Sequence, residues 1–159
     1  MAPRTSVRVQ EERFTIADES ERLLAGLADV GALVTFSGLC RSEGGRLKAL
    51  ELEHYPEMTE AELTRIVGEA VERWPIQALG VVHRVGVIPA GEEIVLVIAA
   101  SSHRAAAFEA AEFVMDFLKT DAPFWKKEHP ADGSATKWVD AKSSDDAARA
   151  RWQRKDAAE

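Results

Sequence analysis

Taken as a string of apolar and polar positions, the chain resolves into segments of two periods. Over residues 18–28 the leucines Leu23, Leu24 and Leu27 share a face at helical spacing, with Asp18 placed to act as N-cap. Residues 31–40 read as a strand through Leu33, Val34 and Phe36. A polar loop over 41–47 turns at Gly44-Gly45, and residues 48–55 then alternate with Leu50, Leu52 and His54 on one side. The clearest helix covers residues 59–74, where Leu63, Ile66, Val67, Ala70, Val71 and Trp74 follow the 3.6-residue period. Thr59 and Glu62 match a capping box, and Pro75 ends the segment.

Residues 79–88 and 93–100 read as two strands joined by a turn at Pro89-Ala90-Gly91. Ser101 or Ser102 then caps a helix running to Thr120, with Phe108, Ala111, Met115 and Leu118 inward. Short strands over 124–128 and 136–139 flank Ala131-Asp132-Gly133, and Ser143 caps a last helix that carries Trp152. Both polar ends are expected to fray, most of all beyond Lys155. Strands and helices mix without a strict βαβ order. This predicts an α+β fold with a mostly antiparallel sheet, one domain over residues 1–159 with an ordered core from about 14 to 152.

Composition narrows the class of protein. Of 159 residues, 46% are apolar and 30% charged, as in a folded globular chain. A chain of this length buries roughly two-thirds of the surface its unfolded form exposes, so folding requires neither disulfide nor metal. Cys40 is the single cysteine, which excludes an internal disulfide framework and a multi-cysteine zinc site. The net charge of −7 argues against a general nucleic-acid or membrane-surface binder. The longest apolar run, residues 94–100, is too short to span a bilayer, and the first ten residues lack the apolar core of a secretory signal; a cytoplasmic protein is expected. Glycine-rich phosphate loops and a G-x-S-x-G elbow are absent. The histidines His54, His83, His103 and His129 lack metal-ligand spacing, and His54 and His83 are expected to be structural strand residues. Glu51 and Glu53 read as solvent-facing. Cys40 adjoins Arg41, which can lower a thiol pKa, but a lone strand cysteine is more often a small buried hydrophobe.

In an acidic chain, local clusters of cations carry information. Three stand out: Arg41 and Arg46 in the loop; Ser101-Ser102-His103-Arg104 at a helix start; and Lys119 followed by Lys126-Lys127. Helix starts favour acidic residues, so His103 and Arg104 run against the dipole and, with free N–H groups and a serine, suit an anion. A surface His-Arg pair beside a serine cap accounts for the same residues. Lys119 near a helix end is favoured by the dipole alone. Phe124 and Trp125, next to Lys126, are candidates for pocket walls against a planar ring, and an edge strand of alternating exposure is the alternative. Arg104 and Lys119 lie fifteen residues apart on one helix, roughly 22 Å at 1.5 Å per residue. One small ligand does not span that length. A two-fold homodimer, setting one copy's helix start against the other's helix end, resolves the conflict.

The residues that carry these clusters also resemble a known family. Phe36-Ser37-Gly38 with Arg41, the run Leu52-Glu53-His54-Tyr55-Pro56 with Met58-Thr59, and Val82-His83-Arg84-Val85-Gly86 are similar to the large, catalytic subunit of molybdopterin synthase. So are Ser102-His103-Arg104 with Ala107-Phe108, the long run from Met115-Asp116 through Leu118-Lys119-Thr120 and Ala122-Pro123-Phe124-Trp125-Lys126-Lys127-Glu128, and Trp138-Val139. The resemblance covers about residues 14–152. It implies an α/β hammerhead-type fold and a sulfurtransferase of molybdenum-cofactor biosynthesis. The implied substrate is cyclic pyranopterin monophosphate, and the implied sulfur donor is a small ubiquitin-like carrier ending in a Gly-Gly thiocarboxylate. Two large subunits form a homodimer within a heterotetramer. Lys119 and Lys126 are the implied catalytic residues. Arg41, His103, Arg104, Lys127, Glu128, Leu39 and Cys40 are the implied substrate-binding set, and no metal or other cofactor is implied at this step. Arg46 is placed to add charge in the short loop, and Lys142 falls where a basic residue is expected near the pocket.

Two other classes fit parts of the pattern. A homodimeric adaptor would dock the carrier without catalysis, and a small phosphate-ligand binding protein would need no carrier. Lys119, Lys126 and Arg41 together favour the enzyme, because docking alone does not call for lysines in the pocket.

Overall fold

The computed structural model describes residues 2–120, 122–139, 147–148 and 150–153. In chain order the elements are β1 (Arg4–Gln10), α1 (Ile16–Leu24), β2 (Ala32–Leu39), β3 (Leu47–His54), α2 (Pro56–Arg73), β4 (Ile76–Arg84), β5 (Gly86–Pro89), β6 (Glu93–Ser101), α3 (Arg104–Thr120), β7 (Phe124–Pro130) and β8 (Lys137–Val139). They form two four-stranded sheets, ordered β1-β4-β6-β2 and β5-β3-β7-β8. Every pairing is antiparallel except β1 with β4, so the expected α+β, mostly antiparallel class holds.

Both faces of the first sheet are covered, which is why its central strands β4 and β6 are almost continuously buried. On one face α2 and α3 pack Leu63, Ile66, Val67, Ala107, Ala110 and Val114 against Leu79, Val81, Val95 and Val97. On the other, Phe14 and Leu23 cover Ala78, Val82, Leu96 and Ile98. The second sheet meets the first through a smaller cluster of Cys40, Leu52 and Ile88, with Leu50, Ile94 and Phe124 against it. That junction positions the site.

Several boundaries differ from the sequence expectation, each for a local reason. The polar N-terminus does not fray: β1 pairs parallel with β4, and Val7 and Val9 pack on the core. Thr15 rather than Asp18 caps α1, its hydroxyl accepting from the Asp18 N–H at 3.2 Å. Helix α2 starts three residues earlier than Thr59, with Pro56 in the first turn where its missing N–H costs nothing. Thr59 is buried instead, and its hydroxyl donates to the Pro123 carbonyl at 3.4 Å. The single strand expected over 79–88 is two strands in different sheets, broken at Gly86, whose φ of 82° favours glycine.

At the start of α3 neither serine acts as the expected cap. Ser101 is buried in β6 and donates to the Pro75 carbonyl at 2.8 Å, while the Ser102 hydroxyl accepts from Gln77 Nε2 at 3.2 Å. Ala111, Met115 and Leu118 face inward as expected, but Phe108 is 59% exposed. Ser143 and Lys142 lie outside the described residues. Trp152, expected on a last helix, packs edge-on against Trp74 and Phe113, and its carbonyl accepts from Arg73 at 2.7 Å.

Candidate functional site

A cavity of about 350 Å³ opens where the two sheets meet the end of α3, within the size range of small-ligand sites. Its apolar wall includes Phe36 and Leu39 from β2, Leu50 and Leu52 from β3, Met115 and Leu118 from α3, and Phe124 from β7. Its charged groups come from three elements: Lys119 in the last turn of α3, Lys126 and Glu128 on β7, and Arg41 with Glu43 in the loop after β2.

Strand periodicity decides which β7 residues take part. Phe124, Lys126 and Glu128 share the face that lines the cavity, whereas Trp125 and Lys127 point the other way. On that outer face Lys127 pairs with Glu53 at 3.2 Å and lies over the Trp138 ring at 4.4 Å, and Trp125 meets Tyr55 edge-on. Glu51, expected in solvent, contacts His129 Nε2 at 2.8 Å, and Glu53 is held by Lys127. Of the two aromatic wall candidates, Phe124 lines the cavity and Trp125 does not.

The loop at the rim is pinned at both ends. Arg41 pairs with Glu43 at 2.9 Å, and Arg46 holds both oxygens of Glu128 at 3.2 and 3.4 Å. The turn between them carries positive φ at Glu43, Gly44 and Gly45, and the Arg46 carbonyl accepts from the Ala131 N–H at 2.8 Å. Both arginines are thus paired with carboxylates that line the cavity, and Arg41 itself lines it, within reach of an incoming anion.

The remaining members of the expected binding set do not gather here. Cys40 is buried in the junction cluster, and burial pushes its thiol up, so it behaves as a small hydrophobe. His103 and Arg104 are exposed at the far end of α3, away from Lys119. Within one chain, Arg41, Leu39, Lys119, Lys126 and Glu128 come together, and His103, Arg104, Lys127 and Cys40 do not.

Periodicity does not single out His83, which lines the cavity and is 6% exposed. Its ring stacks on Phe124 with centroids 3.9 Å apart and planes 15° from parallel. Nδ1 lies 2.8 Å from the Arg84 carbonyl, so it carries the hydrogen and donates. Burial lowers the pKa to about 4; the Arg84 hydrogen bond opposes the change, and Lys126, Lys119 and His54 add to it. Both lysines line the same cavity as the ring. A sequence signal existed: a nearly continuous apolar strand, buried on both faces, leaves a polar residue no solvent to face, so it must meet a partner or a cavity.

Comparisons with known proteins identify relatives of the chain. Residues 9–121 match the MoaE protein family. The chain is 62% identical over 148 residues to the molybdopterin synthase catalytic subunit of Mesorhizobium japonicum, covering 93% of each chain. It is 61% identical over 155 residues to the subunit of the same name from Rhizobium meliloti, covering 98% of this chain and all of that one. Among solved structures, the molybdopterin biosynthesis MoaE protein from Burkholderia ambifaria superposes with a TM-score of 0.80 at 48% identity, over 93% of this chain and 97% of that one. The family match spans most of the chain and includes β2, β3, β4 and α3 together with the positions of Arg41, His83 and Lys119, and the chain belongs to the MoaE family.

Proposed function

We propose that the chain is the catalytic subunit of a molybdopterin synthase, a cytoplasmic sulfurtransferase. It moves two sulfurs, one from the thiocarboxylated end of each of two small ubiquitin-like carriers in turn, to cyclic pyranopterin monophosphate, forming the dithiolene of molybdopterin. The observation that carries the reading is the cavity itself. Arg41, Lys119 and Lys126 line it together with the aromatic side chains of Phe36 and Phe124, a combination suited to a planar pterin bearing a phosphate and to an anionic carrier tail.

The roles follow from the chemistry. Attack by the thiocarboxylate sulfur opens the cyclic phosphate and leaves an acyl link between carrier and substrate, which water cleaves. Lys119 is the main acid/base group, and Lys126 assists and holds the carrier carboxylate. Arg41 binds substrate oxygens, with Glu43 and Glu128 keeping Arg41 and Arg46 extended until an anion competes for them. The cationic cluster in a chain of net charge −7 also steers the carrier's anionic tail.

His103 and Arg104 enter through a second copy. Strand β2 is the edge of its sheet, and Leu33, Phe36 and Leu39 are exposed along it, as is Phe108 on α3. β2 starts beside the α3 start, where Ala32 pairs with Ser101, and ends at the cavity beside Lys119. A two-fold axis across β2 would lay His103 and Arg104 of one copy at the cavity of the other, and would cover an apolar edge that otherwise invites aggregation.

A reconstituted assay tests the reading. The chain, a thiocarboxylated carrier and cyclic pyranopterin monophosphate should together yield molybdopterin, detected as its fluorescent oxidised product. Carrier binding without product would favour the adaptor, and phosphate-ligand binding with no dependence on a carrier would favour the simple binding protein.

A further inference from the structure

His83 is a buried titratable group that the proposed mechanism does not use. It sits at the cavity wall between three fixed influences. The Arg84 carbonyl takes the Nδ1 hydrogen at 2.8 Å in either charge state, so the ring titrates at Nε2. The face of Phe124, 3.9 Å away and nearly parallel, favours an imidazolium over a neutral ring. Burial opposes the imidazolium.

The variable influence is the charge around the ring. Lys119 acts on it from α3, Lys126 from β7 and His54 from β3, and all three disfavour a proton. Arg41, Glu43 and Glu128 line the same cavity. Of all these contributions, the lysines' is the one an incoming anion changes directly.

We propose that His83 is the proton-accepting residue of this cavity and that its protonation is coupled to the charge of Lys119 and Lys126: an anion drawn to the two lysines lets the ring take one proton from solvent at Nε2. This rests on the reading of the cavity as an anion site. Empty, the site keeps the ring's protonation midpoint low; occupied, it lets the ring take a proton at a higher pH.

The test follows the Cε1–H signal of His83 by NMR in the full-length chain, assigned by its loss in His83→Asn, which keeps a donor for the Arg84 carbonyl. The protonation midpoint is measured alone, with saturating inorganic phosphate, and in Lys119→Gln/Lys126→Gln. The double variant should raise the midpoint by about one unit, as expected for removing two nearby like charges. Phosphate should raise it in the native chain and not further in the double variant. A phosphate-induced shift of cavity signals with the midpoint unmoved would overturn the coupling while leaving the anion site standing. If phosphate leaves the cavity signals unchanged, the double variant decides: an unmoved midpoint overturns the coupling, and a raised one supports it while counting against the anion-site reading.

Discussion

Lys119 and Lys126 reach one cavity from different elements, and that convergence sets what each substitution does. Lys119 ends a helix whose buried face does not depend on it. Lys119→Ala should therefore leave the unfolding midpoint and the dimer unchanged while lowering turnover by about 100-fold or more, the usual weight of a general acid/base group; activity near that of the parent chain would remove it from the mechanism. His83 gives a second prediction, on stability. Its folded pKa is lowered from 6.5 to about 4, so between those values the unfolded chain binds a proton that the native chain refuses. Stability then falls as pH drops through that window, by about 3 kcal/mol in all, and is flat in this contribution above and below it. Urea unfolding of the parent chain and of His83→Asn from pH 7 to pH 4 measures it: the variant should lose less stability over the same interval. The cations of the site were legible in the sequence because charge in an acidic chain stands out and because Lys119, Lys126 and Arg41 fall in segments of family-like spacing. His83 was legible only in part: a polar residue in a buried strand needs a partner or a cavity, but which of the two it meets shows only in the packing of Phe124 against it.

At the scale of elements, two glycines predict opposite outcomes. A Cβ on Gly31 would lie 2.1 Å from the Ser102 carbonyl oxygen, backbone against backbone, where β2 begins beside the start of α3. Gly31→Ala should cost about 2 kcal/mol or more, as overpacking does, and should move the edge strand. Gly68, inside α2, has open space where its Cβ would stand. Gly68→Ala should stabilise by about 0.5–1 kcal/mol through helix propensity and unfolded-chain entropy. Denaturant midpoints of the two variants check both signs together. The same scale shows why the helices were easier to read than the strands. α2 and α3 have long, one-sided apolar stripes, and both were anticipated to within a few residues of their ends. β1 was missed because Arg4 and Arg8 interrupt a short alternation whose partner, β4, lies over seventy residues away. The break at Gly86 was missed because apolar residues continue on both sides of it; what changes is the sheet they belong to. Phe108 looked like a core position by period and is exposed because α3 turns that face away from its own chain.

For the whole molecule the question is why a site of this family would be split along one helix. α3 holds Lys119 in its last turn and Arg104 at its start, so a single copy separates them by roughly 22 Å at 1.5 Å per residue. A two-fold arrangement across the β2 edge would bring one copy's Arg104 to the other copy's Lys119, making each cavity depend on both chains. Each single variant, Arg104→Ala or Lys119→Ala, then spoils both cavities of its own homodimer in a different way. Mixing the two should regenerate one cavity with both residues native in each mixed dimer. If subunits exchange freely, half the dimers are mixed and each has one intact cavity of two, so about a quarter of parental turnover should return. Phe108→Glu, which places charge on the exposed face between them, should instead yield monomers by sedimentation and lose turnover without touching either lysine. Recovery near a quarter, with mixed dimers verified by mass, supports the shared site. No recovery in verified mixed dimers would mean that each chain works alone, and would leave His103 and Arg104 as surface residues at a helix start.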